Sequence, residues 1–230
     1  MPLPARLESE DRLHLTTKPG SPCIQRKGVS GHRRSLQDSE VRTIGGLRLT
    51  SVARTWLDLA ARLDVDSLVV AADWLVSEHE RGFGDHRLPR IALHDLSSYV
   101  QSRRGARCCR RADQALALTR VGVDSPPETR LRLLLHRADL PEFTVNCRVD
   151  SPRGRTLWTD LGCRAYRVCV EYEGLHHLTP EQQARDHERD ALTALAGWRQ
   201  IKVNRLQLRR PEAAVLGPIR RALLDNGWHG

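Results

Sequence analysis

Four acidic side chains in the second half of the chain have the types and spacing to gather around a cation. Glu171 and Glu173 stand two positions apart in RVCVEYE, residues 167–173. There Val168, Val170 and Tyr172 alternate with Cys169, Glu171 and Glu173, which reads as a strand carrying both carboxylates on one face. The preceding segment, 156–163, also alternates, with Trp158, Asp160 and Gly162 expected on the face opposite Leu157, Thr159 and Leu161. A tight turn centred on Ala165 and Tyr166 then sets Asp160 across from Glu171. Glu128 opens the apolar face of a helix, with Leu131 and Leu135 at i+3 and i+7, so its carboxylate is expected to point toward the sheet. Carboxylates this close repel one another, and burying them is costly unless something positive lies between them. A divalent ion such as Mg²⁺ or Mn²⁺ is the usual solution. It takes oxygen ligands, keeps several waters, and can activate one of them against a phosphodiester while stabilising the charge that develops. Asp160 and Glu171 are the expected ligands, and Arg or Lys nearby would serve the same developing charge.

Each acid also has a plainer reading. Glu128 fits the N3 position of a capping box, Ser125-Pro126-Pro127-Glu128. Asp160 has Arg167 as an ion-pair partner across the turn, Glu173 fits a strand end, and His176 and His177 fit a surface loop. The six cysteines include no C-x-x-C pair, and free buried thiols are the simple expectation. A zinc site built from Cys147, Cys163, Cys169 and a nearby His stands as the alternative.

A net charge of +9 and a sequence pI of about 9.9, mostly from Arg, point to a polyanionic partner, with DNA the first candidate. Arg185 and Arg189 are expected to contact its backbone. Arg103, Arg107 and Arg111 recur at i, i+4 and i+8 and would form one positive stripe if a single helix ran through them; a merely solvated face is the alternative. No apolar run is long enough to span a bilayer and no secretory signal is visible, so a cytoplasmic protein is expected, with neither a membrane nor a small-molecule cofactor as partner.

The elements that must position these groups are legible in part. In the first half, strands are expected at Leu13 to Thr16, Ser21 to Gln25 and Leu47 to Thr50. A helix capped by Thr50 or Ser51 follows, with Trp56, Leu59, Ala60 and Leu63 on one face. A second helix starts at Asp64 or Asp66, a loop crosses 81–84, and helical segments follow at about 89–100 and in the second half of 101–120. Residues 121–124 read as a linker. The second half reads as helix from Ser125, strands at 143–149, 156–163 and 167–173, a helix capped at Thr179 and stopped by Gly197, a strand WRQIKV, and a closing helix through Pro218. The order is α-β-β-β-α-β-α. The division is therefore an N-terminal α+β domain over 1–120 and a C-terminal α/β domain over 121–230.

Taken together, SPPETRLRLLL, an Asp in a β-hairpin, VEYEGLHH and RDHERDALTALAGWRQIKV closely resemble the Vsr-like endonuclease-domain family of the PD-(D/E)xK superfamily, over roughly 125–224. The resemblance implies a restriction-endonuclease-like mixed sheet flanked by helices and a Mg²⁺- or Mn²⁺-dependent endonuclease or nicking enzyme acting on DNA. It implies Glu128 as the helix acid, Asp160 and Glu171 as metal-holding acids, His177 as the family's catalytic-loop histidine, and Arg189-Asp190 as its helix pair. The sequence departs from the pattern in two places. Thr159 stands where Pro is common, and Glu173, counted among the catalytic positions, stands where Lys or Asp is usual. Lys202 on the neighbouring strand is the residue able to restore the missing positive charge. The first half, through HLT, GHRR and GLRLTSVARTWLDLA, is similar to the C-terminal region of AbiE-type antitoxins of type IV toxin–antitoxin systems. That similarity implies a toxin-like protein partner and a chain that starts after the winged-helix segment such proteins carry. It also supports a second reading, a non-catalytic antitoxin-like regulator that binds DNA or a toxin through a degenerate nuclease fold.

Overall fold

The computed structural model describes residues 1–80, 86–103, 105, 108–152, 154–174 and 179–230, with backbone alone at 79, 80, 86, 180 and 182. His176, His177, Arg107 and the loop expected at 81–84 thus lie outside the described residues. The chain is mixed α/β and divides into two compact units, Met1–Leu75 with Arg90–Ala117 and Val76–Pro89 with Leu118–Gly230. The sequence suggests a single cut after residue 120. Instead the 76–89 segment joins the second unit, where the Arg87 guanidinium donates to the Asp124 carbonyl at 3.3 Å.

The first unit opens with a one-turn helix α1 (Ala5–Glu8) and two parallel strands, β1 (Leu13–Thr17) and β2 (Val29–Arg33). The strand expected at Ser21 to Gln25 is not formed. That segment instead lies against Gly31, where an added Cβ would fall 2.5 Å from the Ile24 carbonyl and 2.9 Å from Cys23 Sγ. A hairpin follows, β3 (Val41–Ile44) and β4 (Leu47–Thr50), closed by Gly45 and Gly46 at φ 56° and 80°. Two left-handed residues in a two-residue loop give the turn whose twist matches the strands.

Helix α2 (Val52–Leu59) is capped by the Ser51 hydroxyl, which accepts from the Arg54 N–H. Helix α3 (Val65–Val76) starts where an Asp64 oxygen accepts from the Ser67 N–H at 2.7 Å. A short pair, β5 (His79–Glu80) and β6 (His86–Arg87), precedes α4 (Leu93–Ser102) and α5 (Cys109–Leu118). Trp56, Ala60, Leu63, Leu68, Ala72, Leu96, Val100 and Ala112 are buried in the first unit, and the Trp56 indole donates to the Leu68 carbonyl.

The arginine stripe expected along 103–111 does not exist as one helix face. Arg103 is the C-cap of α4, and α5 begins only at Cys109. Both described arginines are spent inside the unit. Arg103 pairs with buried Glu40 at 3.1 Å, and Arg111 donates to the Ala60 and Leu63 carbonyls at 2.8 and 3.0 Å, closing the C-terminal end of α2.

The second unit follows the expected order: α6 (Pro126–Arg137), β7 (Thr144–Asp150), β8 (Thr156–Cys163), β9 (Val168–Glu173), α7 (Pro180–Leu195), β10 (Arg199–Asn204) and α8 (Ala213–Asp225). The four-stranded sheet has the order β10-β9-β8-β7. The first three strands in sequence are antiparallel neighbours, and β10 lies parallel to β9 after the α7 crossover. Leu131 and Leu135 of α6 and Ile219 and Leu223 of α8 pack on one face with Leu161, Val168, Val170 and Val203. Leu192 of α7 packs on the other with Val149 and Leu157. Gly197, at φ 76°, ends α7 by donating to Ala194 while Trp198 N–H bonds Thr193, as the sequence indicates. Among the described residues no helix is long and apolar enough to cross a membrane.

Candidate functional site

The site is organised by a local inversion of the sheet. β7 and β8 stay in one register, Val145↔Leu161, Cys147↔Thr159 and Val149↔Leu157, with the Asn146–Asp160 step missing from the ladder. Regular alternation would keep residues 145 and 149 on one face. Yet Val145 and Leu161 pack with α6 and α8, whereas Val149 and Leu157 pack with α7. Asn146 sits at φ 44°, a left-handed conformation that turns the strand over, and its side-chain amide donates to the Gly122 carbonyl. Because β8 inverts at the same level, the register survives. Gly162 accordingly faces the same side as Thr159, not the opposite side expected from alternation. A Cβ there would fall 2.6 Å from Cys147 Sγ and 3.3 Å from Thr159 Oγ1.

Asp160 stands at this inversion. The β8–β9 pairs run from Cys163↔Val168 to Leu161↔Val170, and the ladder ends there, one residue short of Asp160 and Glu171. Beyond that end the Asp160 side chain takes over part of the ladder: its Oδ2 accepts the Tyr172 N–H at 2.8 Å.

Glu171, on the α7 face of β9, is 4% exposed. Its Oε2 receives the Arg189 guanidinium at 2.5 Å, while Oε1, also buried, has no hydrogen-bond partner among the described residues. Burial raises its pKa to about 7; the Arg189 charge opposes this and the Asp160 charge adds to it. Lys202 is the in-register neighbour of Glu171 on β10. Its ammonium bonds Asp190 at 2.6 Å and Glu173 at 3.2 Å, and Gln200 also donates to Asp190. Burial alone would lower the Lys202 pKa, but these two carboxylates hold it above its ordinary value.

Glu128 is held differently. Its Oε2 accepts the Asp124 N–H at 3.0 Å and its Oε1 the Ser125 hydroxyl at 2.7 Å, while Ser125 Oγ accepts the Glu128 N–H. This is the capping role, with the extra backbone bond falling on Asp124 rather than Ser125. Burial, and then the Asp160 charge, raise the Glu128 pKa to about 7.

Asp160 therefore acts on both glutamates, but the two belong to different layers. Glu128 sits on the helix that covers one face, and Glu171 points to the other. Among the described residues no group of three or more His, Cys, Asp or Glu side chains is placed to hold a metal ion.

Other expected groups are redistributed as well. Arg189 is bound to Glu171 instead of lying free for a nucleic-acid backbone. Arg185 is exposed and makes no ion pair with a described residue. Glu173 shares the Glu171 face as expected, but is exposed and tied to Lys202. Among the described residues the thiols belong to no group able to hold a metal ion. Cys163 packs in the α6–α8 core, while Cys169 shares the face of Glu171, where burial and then the Glu171 charge push its pKa up to about 12. Sequence reasoning missed the Arg189–Glu171 and Asp190–Lys202 pairs. The only available signal for the second was parity, since Gln200 and Lys202 share the β10 face opposite Ile201 and Val203.

Comparison of the chain with models of known families, with curated proteins and with solved structures finds no match to any of them.

Proposed function

We propose that the second unit is a restriction-endonuclease-like, Vsr-like domain that cleaves or nicks DNA with a divalent metal ion held by Asp160 and Glu171. The observation that carries this reading is the unpartnered Oε1 of Glu171. It is a buried carboxylate oxygen that feels the Asp160 charge, in surroundings that raise its pKa to about 7. Hard carboxylate oxygens suit Mg²⁺ or Mn²⁺. When bound, such an ion supplies an activated water and stabilises charge on a phosphodiester.

The chain's own residues have definable tasks around it. The Tyr172 N–H fixes the orientation of the Asp160 carboxylate. Lys202, alongside Glu171 on the next strand, supplies the positive charge that Glu173 lacks at its own position. Glu128 stays bonded to its helix start and acts on Asp160 through charge. Arg185 is free to meet a phosphate, and His177 is the base or phosphate-positioning group implied by the family pattern.

Incubating the purified protein with supercoiled plasmid and Mg²⁺ or Mn²⁺ tests the reading. Nicking is expected from the wild type and not from the Asp160→Ala, Glu171→Ala double variant; equal nicking by both rejects it.

One observation favours a second reading, a non-catalytic regulator that binds DNA or a toxin-like protein. The charges of Glu171, Glu173, Asp190, Arg189 and Lys202 already compensate one another inside the unit. Calorimetric titration with Mn²⁺ separates the two. The absence of any heat that depends on Asp160, alongside salt-sensitive DNA binding, would select the regulator.

A further inference from the structure

The first unit contains a cavity of about 320 Å³ that the nuclease reading does not use. Its apolar wall includes Leu3, Leu7 and Leu59, and its polar wall includes Arg12, His14, His32, Arg34 and Arg62. The size lies at the lower end of the range of small-molecule sites, and an apolar wall with a few convergent polar groups is their usual composition.

The polar side is a connected chain of hydrogen bonds. Glu10 Oε2 holds Arg62 at 2.5 Å, and Arg62 Nη1 lies 3.1 Å from His14 Nε2. An arginine can only donate, so toward Arg62 the His14 Nε2 accepts and the His14 proton is on Nδ1; the same Nε2 lies 3.6 Å from Glu10 Oε1, beyond hydrogen-bond reach. That nitrogen is 2.8 Å from His32 Nε2, which must accept in turn and leaves His32 Nδ1 as a donor. The two rings are nearly coplanar, 10° apart, with centroids separated by 5.0 Å. This is what an in-plane bond of 2.8 Å spans once the two ring radii are included, so the rings lie edge to edge and not face to face. Glu10 thus sets the polarity of the chain and presents a donor at its far end.

The charge count decides what kind of ligand fits. Glu10 is neutralised by Arg62, and Asp58, also in the wall, is bonded to Arg54 at 3.0 Å. Arg12 and Arg34 have no acidic partner among the described residues. Two uncompensated guanidinium groups match the charge of about −2 that a phosphomonoester carries at neutral pH, where a carboxylate would leave one cation unmatched. Burial, the His14 ring and Arg34 all lower the pKa of His32, so the cavity keeps that imidazole neutral and able to donate.

We propose that this cavity binds a phosphomonoester, its phosphate held by Arg12, Arg34 and the His14–His32 pair and its organic body lying against Leu3, Leu7 and Leu59. The phosphate can belong to a small free molecule or to the 5′ end of a nucleic-acid strand.

Calorimetry on the full chain at low salt tests the site with n-butyl phosphate, butyrate, inorganic phosphate, and tetrathymidylate with either a 5′-phosphate or a 5′-hydroxyl. n-Butyl phosphate is expected to bind at least about tenfold more tightly than butyrate or inorganic phosphate. The Arg12→Gln, Arg34→Gln double variant, altered only at exposed positions, should keep the wild-type unfolding midpoint and lose that binding. His32→Phe should weaken it as well. If the 5′-phosphorylated oligonucleotide outbinds its 5′-hydroxyl form by a similar factor, and the double variant abolishes the difference, the source is a strand end. If only butyl phosphate shows the effect, the source is a free metabolite. No binding of butyl phosphate up to about 10 mM, binding that the double variant retains, or equal binding of butyl phosphate and inorganic phosphate would each overturn the proposal. None of these outcomes depends on plasmid nicking, so the site stands or falls separately from the nuclease reading.

Discussion

At the scale of single residues, the sheet site is a balance of costs that only some of the acids resolve. Glu171 and Glu128 both have pKa values raised to about 7, in each case first by burial. A carboxylate raised in this way keeps its proton in the folded state at pH values where the unfolded chain has lost it. Between the ordinary value of 4.5 and about 7, the unfolded state therefore binds fewer protons, and stability falls as pH rises through that window. Above it the cost is fully developed and stays flat. Metal-free protein is thus expected to unfold at a higher temperature at pH 5 than at pH 8, as calorimetry in chelator would show. The Glu128→Gln, Glu171→Gln double variant should flatten the dependence. Wild-type protein more stable at pH 8 than at pH 5, with the double variant unchanged in slope, would contradict the burial account of both groups. Mn²⁺ at pH 8 should recover stability in the wild type only, because an ion that binds the folded state alone adds to it.

At the scale of elements, much of the second unit was legible because its local signals agree. The Ser125 cap, the alternation of 168–173, the Gly197 stop and the run before Asn204 each specify a boundary, and the order α-β-β-β-α-β-α follows. The register of β8 against β9, Cys163↔Val168 to Leu161↔Val170, was legible from the hairpin turn alone. The inversion at Asn146 and Asp160 was not, because alternation assigns faces by parity and a left-handed residue inside a strand breaks parity without a compositional mark. The first unit was less legible for a related reason. β2 reads VSGHR, with no apolar alternation, and its Gly31 is needed because the chain at Ile24 packs against it. The inversion makes its own prediction. Asn146→Val places a β-branched residue at φ 44° and should cost about 1–3 kcal/mol, whereas Asn146→Gly should cost less even though it loses the bond to Gly122. Gly162→Ala should cost a similar amount, about 1–3 kcal/mol, by driving a methyl into Cys147, with Cys147→Gly restoring part of the loss. Denaturant titrations of the single and double variants measure both; additive costs for Gly162→Ala and Cys147→Gly would show that the two do not share a space.

At the scale of the whole molecule, the excess of +9 has to be divided between charge that faces solvent and charge the fold consumes. Spacing in the sequence could not make that division, since Arg103 and Arg111 carry the same periodicity as a phosphate-reading stripe. The structure spends them on Glu40 and on the carbonyls at the end of α2. Glu40 is 1% exposed and is also bonded by Arg54 and Tyr99. Burial alone would raise its pKa, but Tyr99, the Gln37 N–H and Arg54 outweigh that and hold the carboxyl below its usual range. Removing one guanidinium from this cluster leaves a buried charge less compensated, so Arg103→Gln should cost stability, on the order of 1–3 kcal/mol. It should leave the salt dependence of DNA binding alone. Arg185 predicts the reverse. It is exposed on α7 and has no ion-pair partner among the described residues, so Arg185→Gln should leave the unfolding midpoint within about 0.5 kcal/mol of wild type. It should also reduce the slope of log affinity against log salt by about one, the loss of a single phosphate contact. Measuring both quantities for both variants, by fluorescence anisotropy across a salt series and by thermal unfolding, gives a crossed pattern if the fold and the nucleic-acid surface draw on separate arginines. If Arg103→Gln lowered the salt slope while Arg185→Gln did not, the polyanion would lie against the first unit, and the assignment of DNA contact to α7 would have to be abandoned.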